Sequence, residues 1–223
     1  MKGPSVSGRR QIKLWGTVSL VAAALVGVAV WLMWPSSEPV VSLPARVCDE
    51  ALPTGAPAAL LPRTGKDYYE SVVGSVEFNA PHDPAEPSPA CNFSGGGRHI
   101  TVEHDRHFND KSLAIRAADE AKEAVAEEAQ LPGRAPLSLG RSYGYAWKHG
   151  AVLLLNCRDE GEEGVIKVNV YDWKKFASED SDAKAFGELA ADTLRMATKS
   201  VYRCDHRSAL PGGPPRLGRP REG

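Results

Sequence analysis

No C-x-x-C pair, no glycine loop closing on Gly-Lys-Ser or Gly-Lys-Thr, no internal repeat and no excess of positive charge occur in this chain of 223 residues. Each absence removes a class of protein. Without C-x-x-C spacing there is no thioredoxin-like redox pair and no zinc-ribbon framework. The stretch Ser94-Gly95-Gly96-Gly97-Arg98 lacks the lysine and the following helix of a phosphate loop, and reads as a turn. Basic residues number 27 against 28 acidic ones, so no basic face for nucleic acid is implied. Wholesale disorder is also excluded, because 42% hydrophobic and 25% charged residues are ordinary for a globular chain.

Charge is absent altogether from Leu14 to Trp34, an apolar run with Trp15 at one edge and Trp31 and Trp34 at the other. About 20 residues at roughly 1.5 Å each span the roughly 30 Å hydrocarbon core of a bilayer. Lys2, Arg9, Arg10 and Lys13 precede the run, and no acidic residue lies before position 35. The positive-inside rule then predicts a cytoplasmic segment 1–13, a transmembrane helix 14–34 and everything beyond it outside the cell membrane. A cleaved signal peptide would need a shorter apolar core and a small-residue cleavage site, which Met33-Trp34-Pro35 does not supply. Residues 35–45 read as a proline-containing linker, 46–206 as an extracytoplasmic domain, and 207–223, rich in Pro, Gly and Arg, as a disordered tail.

Within the outer part, Ser71–Phe78 alternates as a strand with Val72, Val76 and Phe78 on one face, and Cys91–Phe93 with Arg98–His104 forms a hairpin around the glycines. Asp110–Gln130 carries a helical stripe of Leu113, Ala117, Ala121, Ala124 and Val125. Three strands follow on short turns: Ser142–Lys148, Ala151–Cys157 and Val165–Tyr171. The apolar run of the second suggests cover on both faces. A last helix, about Asp182–Arg203 with Ser181 as N-cap, places Phe186, Leu189, Ala190, Thr193, Ala197, Val201 and Cys204 on one face. The expected fold class is therefore α+β: an N-terminal transmembrane helix, then a disulfide-braced antiparallel sheet with two main helices packed on one face.

All four cysteines, Cys48, Cys91, Cys157 and Cys204, fall in the predicted outer part. An even number in an oxidising compartment implies two disulfides, with three possible pairings. The favoured set is Cys48–Cys91 with Cys157–Cys204. Cys157 shares a strand face with Leu153 and Leu155, and Cys204 lies on the apolar face of the last helix, so packing helix on sheet brings that pair together.

Catalytic strings are sparse. Gly140-Arg141-Ser142-Tyr143-Gly144 spells G-x-S-x-G, but a nucleophile elbow needs a strand, a sharp turn and a helix, and here a strand follows. His99, His104 and His107 lie near acidic residues, yet strand alternation sets His99 opposite His104, so one strand cannot converge them on a metal. Tyr143, Tyr145 and Trp147 form an aromatic row that is either core or, facing outward, a platform for a peptide or glycan.

Val47-Cys48-Asp49-Glu50-Ala51-Leu52-Pro53, Ala59-Leu60-Leu61-Pro62, Pro89-Ala90-Cys91-Asn92-Phe93 and the strand Ala151–Cys157 resemble small envelope-anchored proteins of actinobacteria, largely of unknown function. Some related lipoproteins are similar in fold to PsbP-like α/β/α sandwiches. The resemblance covers most of residues 46–205 and implies an envelope location and the Cys48–Cys91 pairing. The expected function is a non-enzymatic, membrane-tethered extracytoplasmic binding or accessory domain, with no cofactor or metal. Its partners would be the cytoplasmic membrane and an envelope protein or cell-wall glycan. The rival expectations are an envelope hydrolase or metal-dependent enzyme using Ser142 or the histidines, and a subunit or sensor acting through a membrane partner.

Overall fold

The computed structural model describes residues 39–74, 77–81, 87–108, 114–159, 162–173, 182–205 and 210–222. Along the chain run β1 (Arg46–Val47), β2 (Leu52–Pro53), α1 (Gly55–Leu60), β3 (Tyr69–Val73), β4 (Ala90–Gly95), β5 (Arg98–Phe108), α2 (Ala114–Glu128), β6 (Ala135–Leu139), β7 (Ser142–Trp147), β8 (Gly150–Asp159), β9 (Glu162–Asp172), α3 (Asp182–Met196) with a π-helical turn at Ala197–Val201, and β10 (Arg216–Leu217). β1 and β2 pair as a small ribbon, and the other eight strands form one sheet in the order β10-β6-β7-β8-β9-β5-β4-β3. Every pairing in it is antiparallel. Tight turns dictate this for β6 to β9, because a parallel return would need a long crossover. In the β4–β5 hairpin the two turn residues, Gly96 and Gly97, have φ of 59° and 90°. That is the left-handed geometry a two-residue hairpin requires, and a Cβ on Gly96 would come within 2.5 Å of the Pro62 Cβ.

Alternation along the strands divides the core in two. One face collects Phe93, Ile100, Val102, Leu153, Leu155, Ile166, Val168 and Val170 against Phe186, Leu189, Ala190 and Leu194 of α3, with α1 at its margin. Each buried Leu or Phe contributes about 1.5–3 kcal/mol. Thr193 enters this apolar face without cost, since its hydroxyl donates to the Leu189 carbonyl at 2.8 Å. The other face holds Tyr145, Val152, Leu154 and Val165 beneath Ala118 and Val125 of α2.

The helices thus lie on both faces, which corrects the expectation of one-sided packing. The physical reason is β8: Leu153 and Leu155 are buried on one side and Val152 and Leu154 on the other, so a helix is needed on each. The expected spanning helix is corrected as well. Among the described residues no helix is long and apolar enough to cross a membrane. The described fold is an α+β domain built on an antiparallel sheet, and residues 1–13 and 14–34 lie outside the described residues, as do Val76, Leu113 and Ser181.

Both disulfides, Cys48–Cys91 and Cys157–Cys204, are formed, with Cα–Cα distances of 5.6 and 5.3 Å. The first ties a turn in which Cys48, Asp49 and Glu50 all have positive φ (59°, 53° and 61°). Left-handed backbone costs a residue with a side chain about 1–2 kcal/mol. The Glu70 carboxylate compensates by accepting the Cys48 and Asp49 N–H groups at 3.0 and 3.3 Å. Two boundaries also shift. The compact unit begins at Pro39, where Val41 N–H donates to the Arg63 carbonyl inside the supposed linker. The tail, expected to be disordered, lies along β6: Gly218 N–H donates to the Pro136 carbonyl, Arg221 N–H to the Arg134 carbonyl, and Gly133 N–H to the Arg221 carbonyl. β6 would otherwise be an edge with unpaired backbone groups, and pairing satisfies them whatever the tail's composition.

Candidate functional site

On its second face the sheet is covered by α2 only in part. Helix α2 packs over β7, β9 and β5, while side chains on β3, β4, the near end of β5 and the far end of β9 stand at the surface. Tyr69 is 66% exposed and Trp173 is 67% exposed. Register sets them in rows: Tyr69 opposes Ser94, which opposes His99, and Ser71, Asn92, Thr101 and Tyr171 form the next line across four strands. Between the two aromatics lies a depression of about 400 Å³ lined by Tyr69, Asn92, Phe93, Ser94, His99, Ile100, Thr101 and Trp173.

Trp173 and Tyr171 are held rather than free. Trp173 Nε1–H donates to Thr101 Oγ1 at 2.7 Å, and Thr101 Oγ1–H donates to Asn92 Oδ1 at 2.7 Å. That chain consumes the Asn92 acceptor and leaves its NH₂ group as a donor in the depression. The Tyr171 ring packs 5.5 Å from the Trp173 ring at 57°. Tyr171 O–H donates to Glu103 Oε1 at 2.6 Å, and Asn169 Nδ2 donates to the other carboxylate oxygen at 3.4 Å. Burial, followed by the hydrogen bond and charge of Glu103, pushes the Tyr171 hydroxyl well above its ordinary range. Tyr171 therefore stays neutral and remains a donor to Glu103 at physiological pH. A rigid aromatic wall beside neutral donors and acceptors is suited to binding.

The residues singled out from sequence are dispersed. Ser142 is buried, and its Oγ accepts the Leu139 N–H at 3.0 Å across the β6–β7 turn. His104 is fully buried on the α3 side, with Nε2 3.0 Å from the Phe78 carbonyl and Nδ1 3.1 Å from the Tyr202 hydroxyl. A carbonyl only accepts, so Nε2 carries a proton. His99 belongs to the opposite face, at the depression, and His107 Nε2 lies 3.6 Å from Asp105 Oδ2. Among the described residues no three His, Cys, Asp or Glu groups could hold a metal together.

The row Tyr143, Tyr145 and Trp147 sits on the α2 face. Tyr145 is 6% exposed and belongs to the second core cluster. The Arg134 guanidinium lies 5.0 Å from the Tyr145 ring centre and 4.1 Å from that of Trp147, so the protein's own cation occupies these two rings. Tyr143, at 36%, is the exposed member. Sequence reasoning missed Trp173, Tyr171, Tyr69 and Thr101. The available signal was the alternation Lys167, Asn169, Tyr171, which reaches Trp173 one step further on the same face.

Compared with protein-family models, curated proteins and solved structures, the chain matches none.

Proposed function

We propose that this chain is a non-catalytic binding domain of an extracytoplasmic compartment, and that its ligand docks on the half of the second sheet face that α2 does not cover. The observation that carries the reading is the pair of exposed aromatics, Tyr69 and Trp173, set across a depression whose polar groups are already oriented by hydrogen bonds. Two large aromatics exposed together at a depression form the kind of surface that marks a binding site, and a prepositioned Trp173 reduces the ordering cost of binding. The cysteines support the compartment, since two disulfides in one domain persist where thiols are oxidised. The resemblance to actinobacterial envelope proteins points the same way. A non-catalytic role is favoured because Ser142 is engaged in a turn and the histidines lie on different faces.

The test is a photo-crosslinking side chain placed in the full-length protein in its native cells, at position 69, or at position 199 as a control on α3's exposed side. Adducts formed from position 69 and not from 199 are expected. Equal or absent labelling at both positions defeats the reading.

A further inference from the structure

We propose that the ligand of this face is a neutral saccharide chain, an inference that rests on the binding reading above. The argument is one of chemical complement. Among the described residues the lining of the depression contains no Lys, Arg, Asp or Glu. A polyanion would find no cation there, and a basic peptide no carboxylate. What the lining does offer is an indole and a phenol at either end, with an amide, the Ser94 hydroxyl and an imidazole between them. A sugar ring matches that set. Its C–H bonds, polarised by the ring oxygens, present a weakly positive face to the negative face of an aromatic quadrupole. Its hydroxyls both donate and accept, and can meet the Asn92 NH₂ group, the Ser94 hydroxyl and the His99 ring.

An extended peptide, the other ligand a sheet commonly takes, binds by adding to a strand edge through main-chain hydrogen bonds. Along β4 and β5 that option is closed, because β4 is paired with both β3 and β5, and β5 with both β4 and β9, whereas β3, which carries Tyr69, is the last strand of the sheet, so a peptide probe tests edge addition there. The indole is also fixed before any ligand arrives, because its N–H is committed to Thr101 Oγ1. Its broad face, rather than its polar edge, is what remains to meet a ligand. A volume of about 400 Å³ falls within the range of small-ligand sites.

The experiment is calorimetric titration of the full-length protein with three probes: tetra-N-acetylchitotetraose, maltotetraose and tetra-alanine. At least one saccharide is expected to bind with Kd of about 0.01–1 mM, as shallow, wet sites do. Trp173→Ala should weaken it at least about 5-fold and Tyr69→Ala about 3-fold, while Trp173→Phe, which keeps a ring, should lose less than Trp173→Ala. Tyr143→Ala, on the half of the sheet beneath α2, should bind as the unchanged protein does. Binding of tetra-alanine alone overturns the proposal, and so does saccharide binding that ignores Trp173→Ala. If no probe binds, the saccharide inference fails, and crosslinking from position 69 then separates the two claims. Adducts there would mean that only the ligand class was wrong, and their absence would remove the binding face as well.

Discussion

Replacing Arg98 with methionine tests how the β5, β9 and α3 ends are joined. The guanidinium is 8% exposed and lies between two carboxylates: Nε is 2.9 Å from Asp172 Oδ2 and Nη1 2.9 Å from Asp182 Oδ2. Nη1–H also donates to the Leu60 carbonyl of α1 at 2.7 Å, and the group rests 5.4 Å from the centre of the Phe186 ring. Methionine replaces the aliphatic stem and removes the charge. The Asp172 side chain, fully buried, then loses its counter-ion. Breaking a buried pair in this way costs about 3–5 kcal/mol, a large share of the roughly 5–15 kcal/mol that holds a domain together. Much of that cost is the buried Asp172 charge that no longer faces the guanidinium, so Asp172→Asn in the same background should recover about 2 kcal/mol relative to the sum of the single changes. The assay is urea unfolding of the four proteins of the cycle, followed by circular dichroism with the disulfides intact. Additivity within about 0.5 kcal/mol would refute the reasoning, because it would mean that the two charges do not depend on each other.

Other perturbations follow from the same structure. The disulfides close loops of sequence separation 43 and 47, and loop entropy assigns each about 4 kcal/mol. Paired Cys→Ala changes should therefore cost nearly the same in either bridge, and a deficit of under 1 kcal/mol in urea unfolding would contradict this. Ending the chain at residue 209 uncovers β6, so a thermal midpoint several degrees lower and self-association in sizing chromatography are expected. An unchanged, monomeric protein would show that the tail contributes nothing. Burial holds the hydroxyls of Tyr68, Tyr171 and Tyr202 above their ordinary range. The fold favours their protonated form, so this stability is complete below the unfolded tyrosine value of about 10 and is lost as pH rises beyond it. Tyrosinate absorbance should then rise together with the loss of circular dichroism, and titration of all tyrosines near pH 10 in an intact fold would refute the expectation.

How far the sequence reveals this molecule depends on whether a feature is local. The strands β7, β8 and β9 were legible because their alternation and tight turns lie within a few residues of one another. The Cys157–Cys204 bridge was legible because Cys157 lies on an apolar strand face and the apolar periodicity of the last helix leads to Cys204, which the structure places just past the π-helical turn. Two-sided helix packing was readable too, in the unbroken run Ala151–Leu155, but the number of helices and their separation in sequence did not say which face each would take. Arg98 reads as the flank of a glycine turn, and only the distant Asp172 and Asp182 make it a buried ion cluster. The tail is Pro-, Gly- and Arg-rich, and its pairing with β6 rests on backbone groups that composition does not encode. The candidate site is the least local feature. Tyr69, Asn92, Thr101 and Trp173 meet through the register of four strands, and no single window of sequence contains them.

The most direct test of the binding face is hydroxyl-radical footprinting of the full-length protein, purified and in its native envelope. Trp173 and Tyr69, exposed in the free structure, should oxidise readily in the purified protein and be protected in the envelope, while the oxidation of Tyr143 stays the same. Equal oxidation of Trp173 and Tyr69 in both settings would contradict the account, because a face that meets a ligand in place cannot remain as open to solvent as one that meets none.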